Sequence, residues 1–530
     1  MPLYLAFLWH MHQPNYILRG RASLPWVRLH AIKNYLHMAE LLRDYPRIHA
    51  TFNLVPCLLE QIIAYLEGST SDRHLDLSRK GQWSSEEGRY LLANFLNLDE
   101  ERIRVYPRYY ELWRLRKGRQ PFRESDLRDL VAWFNLAWID SRRLEKDEVL
   151  RSLVEKGQGF TAADVEAILA KQMEMMGRII PLYQELKEGG QVELTTSPYY
   201  HPILPLLVDS HSAREASPEL QVPPFSHPED AAEQIRQALE FHRLIFGQEP
   251  AGLWPPEGAV GEGILPLLAG KVKWIASDEE VLAKSLGIAI ERDKRGGVIN
   301  PQVLYQPYLL EKAPSLAIIF RDRYLSDRIG FVYEKWPPKS AAEDLMARLR
   351  KIRENLPEDG RPYLVPIILD GENPWSKYED NGDPFLRHLY SLLSQEEEIQ
   401  TVTVSEYLAH HQPREKIGHL FTSSWIDHNL KIWIGEPAQN QAWEYLRRTR
   451  EALLSWQRDY APADIETMGR AWQEIYAAEG SDWFWWYCSR NRSPEEAILD
   501  ETFRGHLANV FVLMGVPIPD WLKEPIEKPR

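Results

Sequence analysis

Cysteine is almost missing from this chain, with only Cys57 and Cys488 in 530 residues. Two thiols so far apart in sequence give neither a disulfide framework nor the paired spacing of a zinc site, and they fit a reducing cytoplasm. Basic charge is also short: 63 Lys and Arg stand against 77 Asp and Glu, a formal net charge of −14. Nucleic acid and anionic membranes both need a concentrated basic surface, so neither is an expected partner. A neutral or cationic substrate fits better. Long apolar runs are lacking too. Residues 3–9 are apolar but too few to span a membrane, carry no basic leader and run directly into a His-rich stretch, so they read as a buried first strand. No repeat or low-complexity tract breaks the chain.

Apolar and indole surface is plentiful. The chain is 44% hydrophobic, enough for one large domain plus a smaller one, and its 19 Trp outnumber 16 Phe. Many of these indoles stand beside Pro, Gly, Asp or Glu in loop-like stretches. Flat apolar faces with a polar handle suit sugar rings, and packing in a large core is the equal alternative.

Eight short β-rich segments recur with helical patterns between most of them: 3–9, 48–54, 191–196, 251–254, 272–276, 316–320, 363–369 and 400–404. Segments such as 363–369 are apolar throughout, which marks a strand covered on both faces and hence a parallel sheet. Repeated βα units predict an α/β fold, either barrel or doubly wound. Between about 58 and 187 the pattern is helical and too long for one crossover, so it reads as an insertion after the second strand. Segments 438–459, 462–478 and 494–514 read as amphipathic helices. The expected organisation is a (β/α) catalytic domain over 1–415 and a C-terminal helical domain over 416–530.

Polar residues gather just after the predicted strands, where a parallel barrel builds its active site. His10 and His12, at spacing i, i+2 on an extended segment, point the same way, followed by Gln13. They could bond a ligand, form half a metal site or be satisfied in a core; no further His or Cys stands at ligand spacing, so no metal is expected. Thr195-Thr196-Ser197-Pro198-Tyr199-Tyr200-His201 is a lining suited to a polyol, or an ordinary turn. In Trp254-Pro255-Pro256-Glu257-Gly258 a prolyl pair restricts the approach to one carboxylate; an exposed turn is the bland alternative. Asp370 ends the most apolar strand, where desolvation raises a carboxyl pKa and suits the group to act as an acid. The nearby Glu372, Glu379, Asp380 and Asp383 lack the calcium-loop ladder with its sixth-place Gly and closing Glu. No cofactor is called for. One anionic and one protonated carboxyl from different strands is what glycoside cleavage requires.

The ordered stretches His10-Met11-His12-Gln13-Pro14, Gly190-Gln191-Val192-Glu193-Leu194 leading to His201-Pro202, Trp254-Pro255-Pro256-Glu257, Leu369-Asp370-Gly371-Glu372-Asn373 and Thr403-Val404-Ser405-Glu406-Tyr407 resemble the five motifs of glycoside hydrolase family 57. Further stretches, among them Ser424-Trp425-Ile426, Ile432-Trp433-Ile434-Gly435 and Gly480-Ser481-Asp482-Trp483-Phe484-Trp485-Trp486-Tyr487, are similar to its α-amylase and amylopullulanase-like members. The resemblance implies an incomplete seven-stranded (β/α) barrel with a C-terminal helical domain. It also implies retaining cleavage of α-1,4 glucosidic bonds, with α-1,6 bonds as a second target, in an α-glucan or maltooligosaccharide. Glu257 matches the family nucleophile and Asp370 its acid/base. His10, His12, His201 and Glu372 match sugar-lining positions, with Trp254, Trp375, Trp425 and Trp433 as expected stacking platforms.

Three departures matter. Eight strand candidates exceed the family's seven, so one belongs to a hairpin or insertion, the segment near Ile319 being the candidate. His201 stands where the family's 4-α-glucanotransferases carry Glu, and Gly258 and Ala259 follow the nucleophile where its branching enzymes carry Cys soon after. Hydrolysis is therefore favoured over transfer. A 4-α-glucanotransferase and a non-catalytic glucan-binding protein stay open. A metal-dependent deacetylase on a related barrel would need a metal triad that the spacing does not offer.

Overall fold

A computed structural model describes residues 2–459 and 465–526. It is an α/β fold of two five-stranded sheets surrounded by helices. In chain order the strands are β1 (Leu3–Met11), β2 (Ala50–Leu54), β3 (Val192–Thr195), β4 (Gly252–Leu253), β5 (Trp274–Asp278), β6 (Tyr308–Leu310), β7 (Ala313–Arg321), β8 (Leu364–Asp370), β9 (Ile399–Thr401) and β10 (Glu415–Ile417). The first sheet runs β8-β1-β2-β3 with β9 beside the start of β1, all parallel. The second runs β10-β6-β7-β5-β4, parallel except for the antiparallel β6/β7 hairpin.

The sheets meet at two seams. Thr196 bridges Leu253 in parallel, with Trp254 N donating to Thr196 O at 2.9 Å. On the other side Asp322 N donates to Pro366 O at 2.8 Å. Period-two geometry then sorts β1. Ala6 and Leu8 join a small core with Trp254, Trp274, Ala276, Ile319 and Ile368. Leu5, Phe7 and Trp9 point the other way into the large core beneath the helices. Both faces are dry, which is why these strands read as unbroken apolar runs.

The segment near Ile319 does form a hairpin, with β6, yet its last half also runs parallel to β5 in mid-sheet. The outlying eighth segment is 399–401, and helix begins at Val404 inside the expected 400–404 strand. The Thr403 side chain caps that helix and ends the strand. Strands β6 and β10 carried no sequence signal, being three residues each. Helices fill the stretch from Pro56 to Glu188. Near the C-terminus helices span Pro437–Asp459, Ile465–Ala478, Ser481–Tyr487 and Glu496–Leu513. Residues 462–464 of the expected helix lie outside the described residues. No helix among the described residues is long and apolar enough to cross a membrane.

Candidate active site

Strand register builds the site. His10 lies opposite Asp370 on one side and Asn53 on the other, and Asn53 lies opposite Thr195. One row across the strand ends therefore carries an imidazole, a carboxyl, an amide and a hydroxyl. His10 Nδ1 is 2.7 Å from Asn53 Oδ1, and Asn53 Nδ2 donates to Thr195 Oγ1 at 3.2 Å. Burial, then the neighbouring His12, hold His10 down to about 3, so it is neutral with Nε2 free to accept.

Glu257 is held in a left-handed backbone, φ 59°, which costs free energy for a residue with a Cβ and marks a position whose conformation is imposed. Pro255 and Pro256 fix the approach. Trp425 closes the clamp: its backbone N donates to Glu257 O at 3.1 Å and its Nε1 to Glu257 Oε2 at 2.8 Å. The Arg321 guanidinium sits 5.0 Å from the Trp425 ring centroid and holds that indole in place. Burial first, and Asp370 second, push Glu257 up to about 8, while the Trp425 N–H opposes the rise.

Asp370 is likewise raised, chiefly by burial, against the pull of Asn373, whose Nδ2 donates to Oδ2 at 2.8 Å. The next residue is glycine, and a Cβ on Gly371 would lie 2.2 Å from Met11 Sδ, so any larger residue would have to displace the Met11 side chain. Glu372 turns inward, is raised well above the usual carboxyl range by burial and by Asp370, and leaves Oε2 without a partner.

Glu257, Asp370, Glu372, His10, His12 and Gln13 line one cleft of about 1020 Å³ together with Trp425. His201 sits behind this surface. Its backbone is also left-handed, φ 61°, and its Nδ1 is 3.0 Å from Ser481 Oγ. Burial holds it neutral, with Nε2 unpartnered.

Three of the four expected platforms are not platforms. Trp254 and Trp433 are 0% exposed and Trp375 is 1%. Trp254 is tucked edge-on against Trp425 with the tight turn at Gly258 packed on its ring, and Trp375 is folded under Gly382 with Nε1 donating to Gly371 O. These indoles build the walls whose surface other groups present. Of the four only Trp425 lines the cleft.

Several lining groups went unread in the sequence. Trp26 and Trp138 come from the N-terminal helices, Phe331 from a π-helical turn, and Asp482, Trp485 and Trp486 from the C-terminal helices. Asp482 accepts from His12 Nε2 at 2.9 Å. Asp482, Trp485 and Trp486 lie in one of the resembling stretches and Phe331 closes another, 326–331, which could have flagged them; Trp26 and Trp138 carry no signal because they are ordinary aromatics on helical patterns. Spacing showed no third metal donor, yet the fold gathers His12, His201 and Asp482 with their donor atoms within 4.8 Å of one another. The His12 and His201 rings, however, stack with centroids 3.9 Å apart and planes 20° apart, so their in-plane lone pairs run side by side instead of converging on an ion. Hydroxyl groups of a bound polyol suit this arrangement better.

The family model for glycosyl hydrolase family 57 matches residues 6–418. An alpha-amylase of Pyrococcus horikoshii is 23% identical over 342 residues, 60% of this chain and 45% of that protein. The chain spans about half the length of the curated relatives it matches. Among solved structures, a family 57 branching enzyme from Pyrococcus horikoshii superposes with a TM-score of 0.63 at 16% identity, covering 100% of this chain and 98% of that one. The alpha-amylase AmyC from Thermotoga maritima gives 0.60 at 14%, covering 99% and 96%. At such identities these likenesses describe the fold.

Proposed function

The chain belongs to glycosyl hydrolase family 57, and from that premise we propose that it is a retaining α-glucan hydrolase of α-amylase or amylopullulanase type, with Glu257 as nucleophile and Asp370 as general acid/base. The observation that carries this reading is the meeting of the two carboxyls on one cleft, close enough for Asp370 to raise the pKa of Glu257. Burial, and Asp370 beside it, keep a proton on Glu257 near neutrality when the cleft is empty. A glycosidic oxygen beside Asp370 draws the proton there, while the Trp425 N–H stabilises Glu257 as the anion. Glu257 then attacks the anomeric carbon as Asp370 protonates the departing oxygen. Water, deprotonated by Asp370, opens the glycosyl-enzyme.

The other groups bind hydroxyls. Neutral His10, its Nδ1–H given to Asn53 Oδ1, accepts through Nε2, Gln13 acts through its amide, and Asp482, held by His12, accepts, while His201 backs them from behind the cleft wall. Glu372, protonated by its surroundings, donates.

The finer architecture supports the same reading. Strands β1, β2, β3, β4, β5, β7 and β8, joined by the two seams, are the ring of an incomplete seven-stranded barrel. We assign 1–415 to that catalytic unit, with the helical insertion at about 58–187, and 416–530 to the helical domain that supplies Asp482.

Incubation with amylose, pullulan and maltohexaose followed by product separation tests the reading. Shorter products with new reducing ends are expected. Products longer than maltohexaose would replace hydrolysis with glucan transfer, and no turnover on any of the three would end it.

The Trp425 clamp gives a second test. Trp425→Phe keeps the ring and removes the N–H that favours the Glu257 anion, so the nucleophile ionises only at higher pH. The acid limb of kcat should move upward and kcat should fall about 10- to 100-fold, the worth of one hydrogen bond to a charged group. An unchanged pH profile would remove Trp425 from this role.

A further inference from the structure

Beyond the cleft, the C-terminal helices enclose a second cavity of about 320 Å³, lined by Trp486, Arg492, Glu496 and Ala497. Trp486 and Leu499 line both this cavity and the main cleft, so the two spaces are neighbours across one indole and one aliphatic side chain. The cleft wall leading to that partition is aromatic. Trp26 and Trp485 line it, and Trp26 is fixed by donating Nε1 to Glu495 Oε2 at 3.0 Å.

We propose that the second cavity is a remote glucan subsite, occupied by the end of a chain or branch whose scissile bond lies between Glu257 and Asp370. An indole with space on both sides can stack on a glucosyl ring, and the path to it is already paved with indoles. Arg492 and Glu496, an ion pair 3.8 Å apart, give the lining N–H donors and carboxylate acceptors beside the indole, a polarity suited to a neutral polyol and ill suited to an apolar ligand. About 320 Å³ stands at the small end of ligand sites, roughly 300–1,000 Å³, which is room for one or two glucosyl units. The subsite therefore discriminates by chain length: long glucans reach it and short ones do not. This rests on the α-glucan reading of the cleft.

Ala497 is exposed and is not part of the main cleft's lining. Ala497→Trp should plug the cavity, and Trp486→Ala should remove the ring. For each, kcat/KM on maltoheptaose or amylose should fall about 10-fold while maltotriose is cleaved as by wild type in the Ala497→Trp enzyme. Binding of maltoheptaose and maltotriose to Glu257→Gln and to Glu257→Gln/Ala497→Trp, by calorimetry, gives a readout that does not need turnover. Selective weakening of maltoheptaose supports the subsite. Equal effects on long and short ligands, or none, with melting temperatures unchanged, overturn it. Absence of turnover in wild type would instead count against the hydrolase reading, while the binding pair would still decide the subsite.

Discussion

Glu257→Gln should lower the rate on maltohexaose by at least about 10³-fold, the order expected when the nucleophile of a covalent mechanism is removed. It should also raise stability, in a pH-dependent way. Burial and Asp370 raise Glu257 from the ordinary 4.5 to about 8. A raised carboxyl pKa means that the folded chain holds this proton more tightly than the unfolded one. Its contribution to stability is thus complete below about pH 4.5 and is lost as pH climbs through about 8. At about 1.4 kcal/mol per pH unit the loss is of order 5 kcal/mol at most. Gln cannot ionise, so the variant should melt above wild type near pH 9, with the gap closing towards about pH 5. Melting curves across that range, beside the kinetics, check both halves. A variant nearly as active as wild type, or one whose melting offset ignores pH, would take Glu257 out of the nucleophile's place.

A chain ended at residue 415 should fail to give a soluble, active enzyme. The C-terminal helices hold Ser481 and Asp482 against His201 and His12. The segment around Trp425 pairs with the Glu257 loop, with Val260 and Ser423 exchanging backbone bonds. Arg450 and Asp230, both buried, form a bidentate ion pair between the two parts, and Gln234 donates to Glu479 at 2.7 Å. Removing one side of a buried ion pair costs about 3–5 kcal/mol. Losing that together with Trp425 and the packed indoles approaches the whole stability of an ordinary domain, about 5–15 kcal/mol. Expression yield, a melting transition and a reducing-sugar assay on the fragment check this. A fragment that melts cooperatively and still cleaves glucan would show that the helices are dispensable.

Strand positions were largely legible because both faces of β1 and β8 are buried, and double burial writes an apolar run into the chain. The exceptions have local causes. β6 and β10 hold three residues each, too few for a pattern. Within 400–404 the Thr403 cap outcompeted the β-branched residues around it. Among the candidate site residues, Glu257 and Asp370 stood out through the prolyl pair before the one and the unbroken apolar strand before the other. The indoles misled for the opposite reason: Trp beside Pro or Gly marks a tight turn, and a tight turn can pack on its own Trp as readily as it can present the ring to a ligand.

By itself, the sequence determined where the long, doubly buried strands lie and that His10 and Asp370 follow two of them, because double burial writes an apolar run into the chain; the register that sets His10 beside Asn53 and Asp370 came from strand pairing. The sequence also argued against a concentrated basic surface and a disulfide framework. Tertiary structure alone decided that His12, His201 and Asp482 would meet, that Trp425 would grip Glu257 and that only one of four indoles would reach the cleft. Those outcomes depend on docking between segments hundreds of residues apart, and no local pattern encodes which face of a helix a distant partner will cover.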